Sequence, residues 1–209
     1  MSNHEELPAH LSSKNWEEEL TFKLWTSKGT RFRAAKRCRV KGRYSQTAIA
    51  ILTSYLIILS ILPYYLKKSP QPISPDVLAF LTTATSIVLL VYSLIESGNN
   101  YNLQAYKFDQ CANELSRVYD KVRAVSDLNE QEKKINLAQI AHSYEEILRS
   151  TENHEPNDYY VFRLYYPHVF TTSWLQRIRC WCRYYFTTVF LYHVLILLPP
   201  SIFVYLYTR

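Results

Sequence analysis

Four polar side chains share one face of a largely apolar stretch of the chain. Thr82, Ser86 and Ser93 follow one another at helical spacing, and Glu96 stands at the end of the stretch. If the stretch crosses a membrane, small hydroxyls on one helical face favour close packing and hydrogen bonds between helices. The alternative is a pore wall, in which an acidic ring contributed by several copies favours cations. The candidate pore-lining residues are Thr82, Ser86, Ser93 and Glu96.

A second polar group stands further along the chain. Asn153, His154 and Asp158 surround Pro156 between two segments of apolar periodicity. One interpretation is a helix end followed by a loop. The other is a hydrogen-bonded latch that fixes how the preceding helices meet the membrane or a regulator.

Patterns typical of enzymes are missing from the sequence. The chain has three glycines, so no phosphate-cradling loop or nucleophile elbow can be written. Cys180 and Cys182 form a C-x-C pair without a second pair at the spacing of a zinc site. We therefore expect that the chain is not an enzyme, and we expect no cofactor, metal or small-molecule substrate.

The candidate pore-lining residues lie in or at the end of the second of two uncharged apolar runs. Residues 48–66 and 77–95 have 19 residues each, which as helices span roughly 28 Å, about the thickness of the hydrocarbon core of a bilayer. A short proline-rich loop joins them, which predicts a transmembrane hairpin. Residues 184–207, broken by Pro199 and Pro200, predict a third C-terminal span. The expected fold class is an all-α integral membrane protein.

A basic block precedes the first run. Residues 28–43 hold eight bases and no acid. Because positive residues near a span stay on the cytoplasmic side, we expect a cytoplasmic N-terminus, an outside loop, a cytoplasmic middle region and an outside C-terminus. Contact with lipid headgroups or, less favoured, with nucleic acid also suits the block. The residues assigned to topology and lipid contact are Arg31, Arg33, Lys36, Arg37, Arg39, Lys41 and Arg43.

The remaining periodicities predict cytoplasmic helices. An amphipathic helix should follow Asn15, end near Gly29, and give way to a helix that enters the first span. A heptad seam then continues for three heptads, and a further helix should follow the cap Asn129. The seam packs either within the chain or between subunits of a homo-oligomer. Its residues are Tyr101, Ala105, Phe108, Ala112, Leu115, Tyr119 and Val122.

These elements divide the chain into four regions. An aromatic segment, residues 159–166, suits packing under the membrane or a partner surface. The regions are an N-terminal cytoplasmic amphipathic and basic part (1–45), the transmembrane hairpin (46–96), the cytoplasmic helical pair with the aromatic segment (97–183) and the third span (184–209).

Together these features resemble the SLATT family, the two-transmembrane effector domains that associate with SMODS nucleotidyltransferases and SLOG sensors in bacterial conflict systems. The resemblance covers about residues 15–166. It is carried by the stretch Lys28-x-x-Arg31-Phe32-x-Ala34-Ala35-x-Arg37, the tight hairpin with its terminal Glu96, the helical pair, and Glu152-Asn153-His154 with Asp158. The third span is similar to a branch that carries an extra C-terminal span and accompanies reverse transcriptases.

The resemblance implies an abortive-infection effector in the bacterial inner membrane. Such an effector forms an oligomeric pore that stays closed until a partner senses phage, either a sensor or a reverse transcriptase with its nucleic acid. The alternative is a membrane-anchored scaffold that tethers and restrains a cytoplasmic nucleic-acid-handling partner through the basic block and the aromatic segment. A small transporter subunit is disfavoured because no span carries a charge pair.

Overall fold

The computed structural model describes residues 16–66, 74–125 and 127–208. Within these ranges all regular structure is helical, as predicted. The described residues form seven helices: α1 (Trp16–Leu66), α2 (Pro75–Gly98), α3 (Tyr101–Val125), α4 (Glu130–Arg149), α5 (Pro156–Leu164), α6 (Trp174–Thr188) and α7 (Phe190–Thr208).

Helices α1 and α2 contain the two predicted spans. Each has a stretch long and apolar enough to cross a membrane, and only 17% and 6% of these stretches is buried inside the protein. Large apolar side chains such as Ile58, Phe80 and Leu94 are more than half exposed. Apolar surface of this extent is stable in hydrocarbon and costly in water. The prediction of a membrane protein with a two-span hairpin is therefore confirmed.

The C-terminal apolar region differs from the single, proline-broken run that the sequence predicted. Helices α6 and α7 meet at Val189 with a bend of 59°, and the pair counts as a third span only if both are taken as one bent element. Helix α7 instead continues through Pro199 and Pro200. The break in the helix therefore falls before α7 and not at the prolines. Prolines inside α7 are compatible with a membrane helix, where they are tolerated.

Helix α1 is also longer than predicted. It passes Gly29 without interruption, because this glycine serves a close approach and not a turn. A Cβ atom at Gly29 would overlap the ring of Phe162. A glycine inside a helix costs about 0.5–1 kcal/mol relative to alanine, and here the lost side chain makes room for an aromatic ring.

The described helices belong to two compact units. Unit 1 contains the residues of α1 up to Arg37 and the segment Leu103–Arg177. Unit 2 contains Cys38–Asn102 and the residues from Ile178 onward. Helix α1 contributes to both.

Unit 1 is built on an apolar core between α1, α3 and α4. The helix α4 begins as predicted, since the Asn129 side chain accepts a hydrogen bond from the Glu132 backbone N–H at 2.9 Å. The other predicted cap, Asn15, lies outside the described residues. The buried core residues are Leu20, Leu24, Cys111, Leu115, Val118, Val122, Leu137 and Ile140.

The heptad seam contributes to this packing. Five of its seven residues are buried and belong to unit 1: Ala105, Phe108, Ala112, Leu115 and Val122. Tyr119 is half-buried, with the Lys28 ammonium 4.1 Å from its ring centroid, and Tyr101 belongs to unit 2. In this structure the seam packs within the chain, as the intramolecular alternative describes. Its assignment to a contact between subunits stays a prediction.

Candidate functional site

Two arginines of α1 are buried in unit 1. Arg31 and Arg37 are 2% and 6% exposed, although a buried guanidinium is costly unless it is paired and hydrogen-bonded. Carbonyl and carboxylate oxygens of the segment between α4 and α5 and of the start of α5 bind both guanidinium groups. We call Arg31, Arg37 and residues 152–158 the arginine clamp.

Arg37 binds two carboxylates in the clamp. Its Nε donates to Asp158 Oδ1 at 2.8 Å and its Nη2 to Asp158 Oδ2 at 3.0 Å. Its Nη1 lies 2.8 Å from Glu155 Oε1. The Asp158 side chain is 2% exposed and that of Glu155 is 48% exposed. Fork-to-fork pairing of this kind is strong and directional, so Asp158 is the principal partner.

Asp158 also starts the helix in which it lies. Its Oδ2 accepts a hydrogen bond from the Glu155 backbone N–H at 3.1 Å, and Pro156 occupies the first turn of α5, where its missing N–H costs nothing. One carboxylate therefore both caps α5 and binds α1. The direction of α5 in unit 1 is thereby tied to Arg37.

Arg31 holds the other end of the same segment. Its Nη1 donates to the backbone carbonyl of Glu152, and its Nη2 lies 3.5 Å from Asn153 Oδ1. The neighbouring His154 is half-buried. Burial, together with the positive charge of Arg31, holds the pKa of His154 below its ordinary value. His154 is therefore neutral at neutral pH.

The arginine clamp joins residues of the predicted latch to two arginines of the basic block. The structure brings Asn153 and Asp158 to Arg31 and Arg37, which were predicted to serve topology and lipid contact and are buried within unit 1 here. Arg31 shares a buried helical stripe with Ala34, Ala35 and Cys38, spaced i, i+3, i+4 and i+7. That small-residue stripe was the available indication that the face points inward.

The other basic residues of the block keep a more open position. Lys36, Arg39 and Arg43 are exposed, so their assignment to topology and lipid remains a prediction. The Arg33 guanidinium lies 3.5 Å from the ring centroid of Tyr165, within unit 1. Lys41 Nζ lies 5.9 Å from the ring centroid of Tyr101, within unit 2.

An aromatic cluster adjoins the clamp in unit 1. The Trp25 ring lies 5.0 Å from Phe162, 4.8 Å from Tyr166 and 6.2 Å from Phe170. Phe162 is buried against the bare backbone of Gly29. Part of the predicted aromatic segment therefore packs on α1 within the chain.

The polar face of α2 belongs to unit 2. Thr82 donates to the Leu78 carbonyl at 2.8 Å, Ser86 to that of Thr83 at 2.8 Å, and Ser93 to that of Leu90 at 2.9 Å. Ser86 is exposed and the other two are half-buried. Each hydroxyl proton is thus satisfied inside its own helix, while the oxygen lone pairs remain available to accept hydrogen bonds.

Glu96 ends this face and contacts the C-terminal helix. The Tyr192 hydroxyl donates to Glu96 Oε2 at 3.3 Å, and Tyr192 is buried. Tyr44 of α1 stacks on Tyr192 with ring centroids 6.5 Å apart and meets His193 edge-on at 5.4 Å. Residues of α1, α2 and α7 therefore meet around Tyr192 in unit 2. Which tyrosine contacts Glu96 could not be predicted from local spacing, because the partners are 96 residues apart.

Between these helices unit 2 has a partly open cavity of about 330 Å³. Side chains of α1, α2 and α7 line it, including Leu52, Leu78 and Leu195. The lining is apolar apart from the hydroxyls of Tyr55, Thr85 and Tyr92. Water needs several polar partners to occupy such a space, so this cavity is not an ion path within one chain.

One family model matches the chain. It is described as SLATT_5, SMODS and SLOG-associating 2TM effector domain family 5, and it covers residues 13–206. No curated protein and no solved structure matches. The matched range includes residues of both units, the arginine clamp and the polar face of α2.

Proposed function

The chain belongs to family 5 of the SMODS and SLOG-associating two-transmembrane effector domains, and from that premise we propose that several copies form a pore in a bacterial inner membrane. The pore serves an anti-phage, abortive-infection defence and stays closed until a partner triggers it. Its action is permeabilisation and involves no enzymatic step. The N-terminus lies on the cytoplasmic side.

The observation that carries this proposal is the exposed and one-sided character of α2. Only 6% of its most apolar stretch is buried, and the hydroxyls of Thr82, Ser86 and Ser93 lie with Glu96 on one face. A single hairpin cannot enclose a water-filled path, so a pore needs copies that turn this face inward. The exposed apolar residues then contact lipid or neighbouring copies.

The polar face of α2 is suited to line a water-filled pore. The hydroxyl oxygens of Thr82, Ser86 and Ser93 can accept hydrogen bonds from water even though their protons are bound to backbone carbonyls. Glu96 from each copy forms an acidic ring at one end. Such rings favour cations over anions.

The contact between Glu96 and Tyr192 supports a closed resting state. While the Tyr192 hydroxyl holds the carboxylate, Glu96 is directed at α7 and away from the lipid side of α2. A hydrogen bond to a charged group contributes about 1.5–3 kcal/mol, and at 3.3 Å the lower figure is appropriate. Loss of about 1.5 kcal/mol shifts a closed-to-open equilibrium roughly ten-fold.

The trigger is proposed from the family and from the resemblance of the C-terminal helices. The family description names association with SMODS and SLOG domains, so a sensor of that kind is one candidate partner. A reverse transcriptase with its nucleic acid is the other, by similarity to the branch with an extra C-terminal span. Either partner acts by shifting the closed state toward the open one.

Dye release from liposomes tests pore formation. The purified full chain is reconstituted with an entrapped small dye, and wild type is compared with Tyr192→Phe. The matched control is Tyr106→Phe, which removes a hydroxyl from an exposed tyrosine of α3. We expect Tyr192→Phe to release dye about ten times faster than wild type and Tyr106→Phe to match wild type. If none of the three releases dye although all co-float with the liposomes, the membrane-anchored scaffold is the better account.

A further inference from the structure

Helix α6 has two unlike faces in its part that belongs to unit 2. Cys180 and Thr188 are buried, so one face packs on protein. Ile178, Trp181 and Phe186 are each more than half exposed. An exposed apolar face of this kind, in a unit that spans the membrane, indicates a surface that lipid or another protein covers.

The exposed apolar residues form one continuous arc. At 100° per helical residue, Trp181, Tyr185, Ile178, Cys182 and Phe186 fall within an arc of about 140°. Arg179 and Arg183 follow beside Phe186 at the edge of the arc, and both are exposed. The helix thus joins an apolar, aromatic-rich face to a basic edge.

Charge and continuity indicate what covers this face. From Tyr159 to Arg209 the chain contains no Asp or Glu, so the edge is positive without compensation and complements an anionic surface. Helix α7 follows after one residue and exposes Leu191, Leu197 and Leu198. The apolar face of α6 therefore lies beside a surface that is itself suited to hydrocarbon.

The bend separates α6 from a membrane crossing. The axes of α6 and α7 differ in direction by 59°, so α6 does not extend α7 along a single straight path. As part of a straight span, α6 would also carry Arg179 and Arg183 into hydrocarbon, which is unfavourable. A helix that lies in the plane of the interface keeps both guanidinium groups at the level of the headgroups.

We propose that α6 is an interfacial helix that binds the anionic phospholipids of the membrane crossed by α1 and α2. Trp181, Tyr185 and Phe186 insert at the boundary between headgroups and acyl chains, where aromatic rings are favoured. Arg179 and Arg183 bind lipid phosphates, which guanidinium groups match in geometry. This inference does not depend on pore formation.

A native cysteine makes the depth of α6 measurable. Cys182 lies in the exposed arc, whereas Cys38, Cys111 and Cys180 are buried. A nitroxide attached to Cys182 of the full chain reports its accessibility to oxygen, which concentrates in lipid, and to a water-soluble nickel chelate. Two references use a Cys182→Ser background: Ser150→Cys, exposed at the end of α4 in unit 1, marks water, and Val91→Cys, exposed on α2, marks the hydrocarbon.

The lipid dependence separates this proposal from its rivals. In vesicles of phosphatidylcholine with phosphatidylglycerol we expect Cys182 to lie between the two references. In phosphatidylcholine alone it should move toward the aqueous reference. Arg179→Gln and Arg183→Gln should each shift the bound-to-free ratio about five-fold toward water. Arg179→Lys and Arg183→Lys keep the charge but lose the guanidinium geometry, so each should shift the ratio less than the Gln variant does.

Three results would overturn the proposal. A label as accessible to nickel as Ser150→Cys in anionic vesicles means that the face meets water or a protein partner. A label as deep as Val91→Cys means that α6 is part of a third span. A depth of the label that is the same with and without phosphatidylglycerol means that α6 does not bind anionic phospholipid. The lipid comparison uses the wild-type sequence, so these results do not depend on whether the arginine variants fold.

Discussion

Replacing Asp158 with Asn removes the charge that compensates Arg37 while leaving the size of the side chain unchanged. The amide oxygen can still accept the hydrogen bond from the Glu155 backbone N–H that Asp158 accepts at 3.1 Å. The effect is therefore confined to the buried ion pair. Arg37 and Asp158 are 7% and 2% exposed in their side chains, so little solvent is present to replace the lost partner.

The expected loss follows from this burial. Removing one partner of a buried ion pair costs about 3–5 kcal/mol. Glu155 stays within 2.8 Å of Arg37 and retains part of the compensation, so we expect the lower end, about 3 kcal/mol. For a chain of this size each kcal/mol shifts the unfolding temperature by roughly 2–4 °C. Asp158→Asn should therefore lower it by about 6–12 °C.

The assay is thermal unfolding of the full chain in detergent, followed by tryptophan fluorescence. Trp25 contacts the α5 residue Phe162 at 5.0 Å, so it reports on unit 1. Glu155→Gln is the matched control: its carboxylate is about half exposed, and exposed ion pairs contribute about 0–1 kcal/mol. An Asp158→Asn variant no less stable than Glu155→Gln would refute the view that the clamp holds α5.

Two further predictions concern the same unit. In an open helix a Gly→Ala substitution stabilises by about 0.5–1 kcal/mol. Gly29→Ala should instead destabilise by about 1–3 kcal/mol, because its methyl group would overlap Phe162. Gly98→Ala, with no atom within 4 Å, should be neutral or stabilise by up to about 1 kcal/mol in thermal unfolding, and equal effects of the two substitutions would contradict the close approach. Since burial and Arg31 lower the pKa of His154, the unfolded chain binds a proton that the folded chain does not, so stability should fall as the pH drops below about 6.5. His154→Gln should reduce that fall, and an unchanged pH slope in unfolding temperature would show that His154 does not contribute to it.

The spans and most helices could be predicted because they depend on local composition. Residues 48–66 and 77–95 lack charges for longer than a soluble helix tolerates, and α4 begins at a side-chain cap visible in the sequence. The prediction of a helix end at Gly29 was wrong, because a glycine can either interrupt a helix or allow another side chain to pack closely against it. Only the position of Phe162 in the fold distinguishes them.

The candidate site could be predicted only in part. Asn153 and Asp158 stood out as polar residues between apolar segments, but their partners lie more than a hundred residues earlier. Eight bases near a span satisfy a topology rule, and that rule does not reveal which two of them turn inward. Likewise the spacing on α2 indicated Glu96, whereas its contact with Tyr192 depends on how α7 packs in unit 2.

The most direct test of the central claim is ion selectivity in planar bilayers. Recordings use the Tyr192→Phe chain, which should open without a partner, and compare Glu96, Glu96→Gln and Glu96→Lys in that background. If copies of α2 line a pore with Glu96 as an acidic ring, the preference for cations should weaken with Gln and turn toward anions with Lys. A conductance whose selectivity is the same in all three would place the path elsewhere, and the absence of any conductance from inserted protein would contradict pore formation.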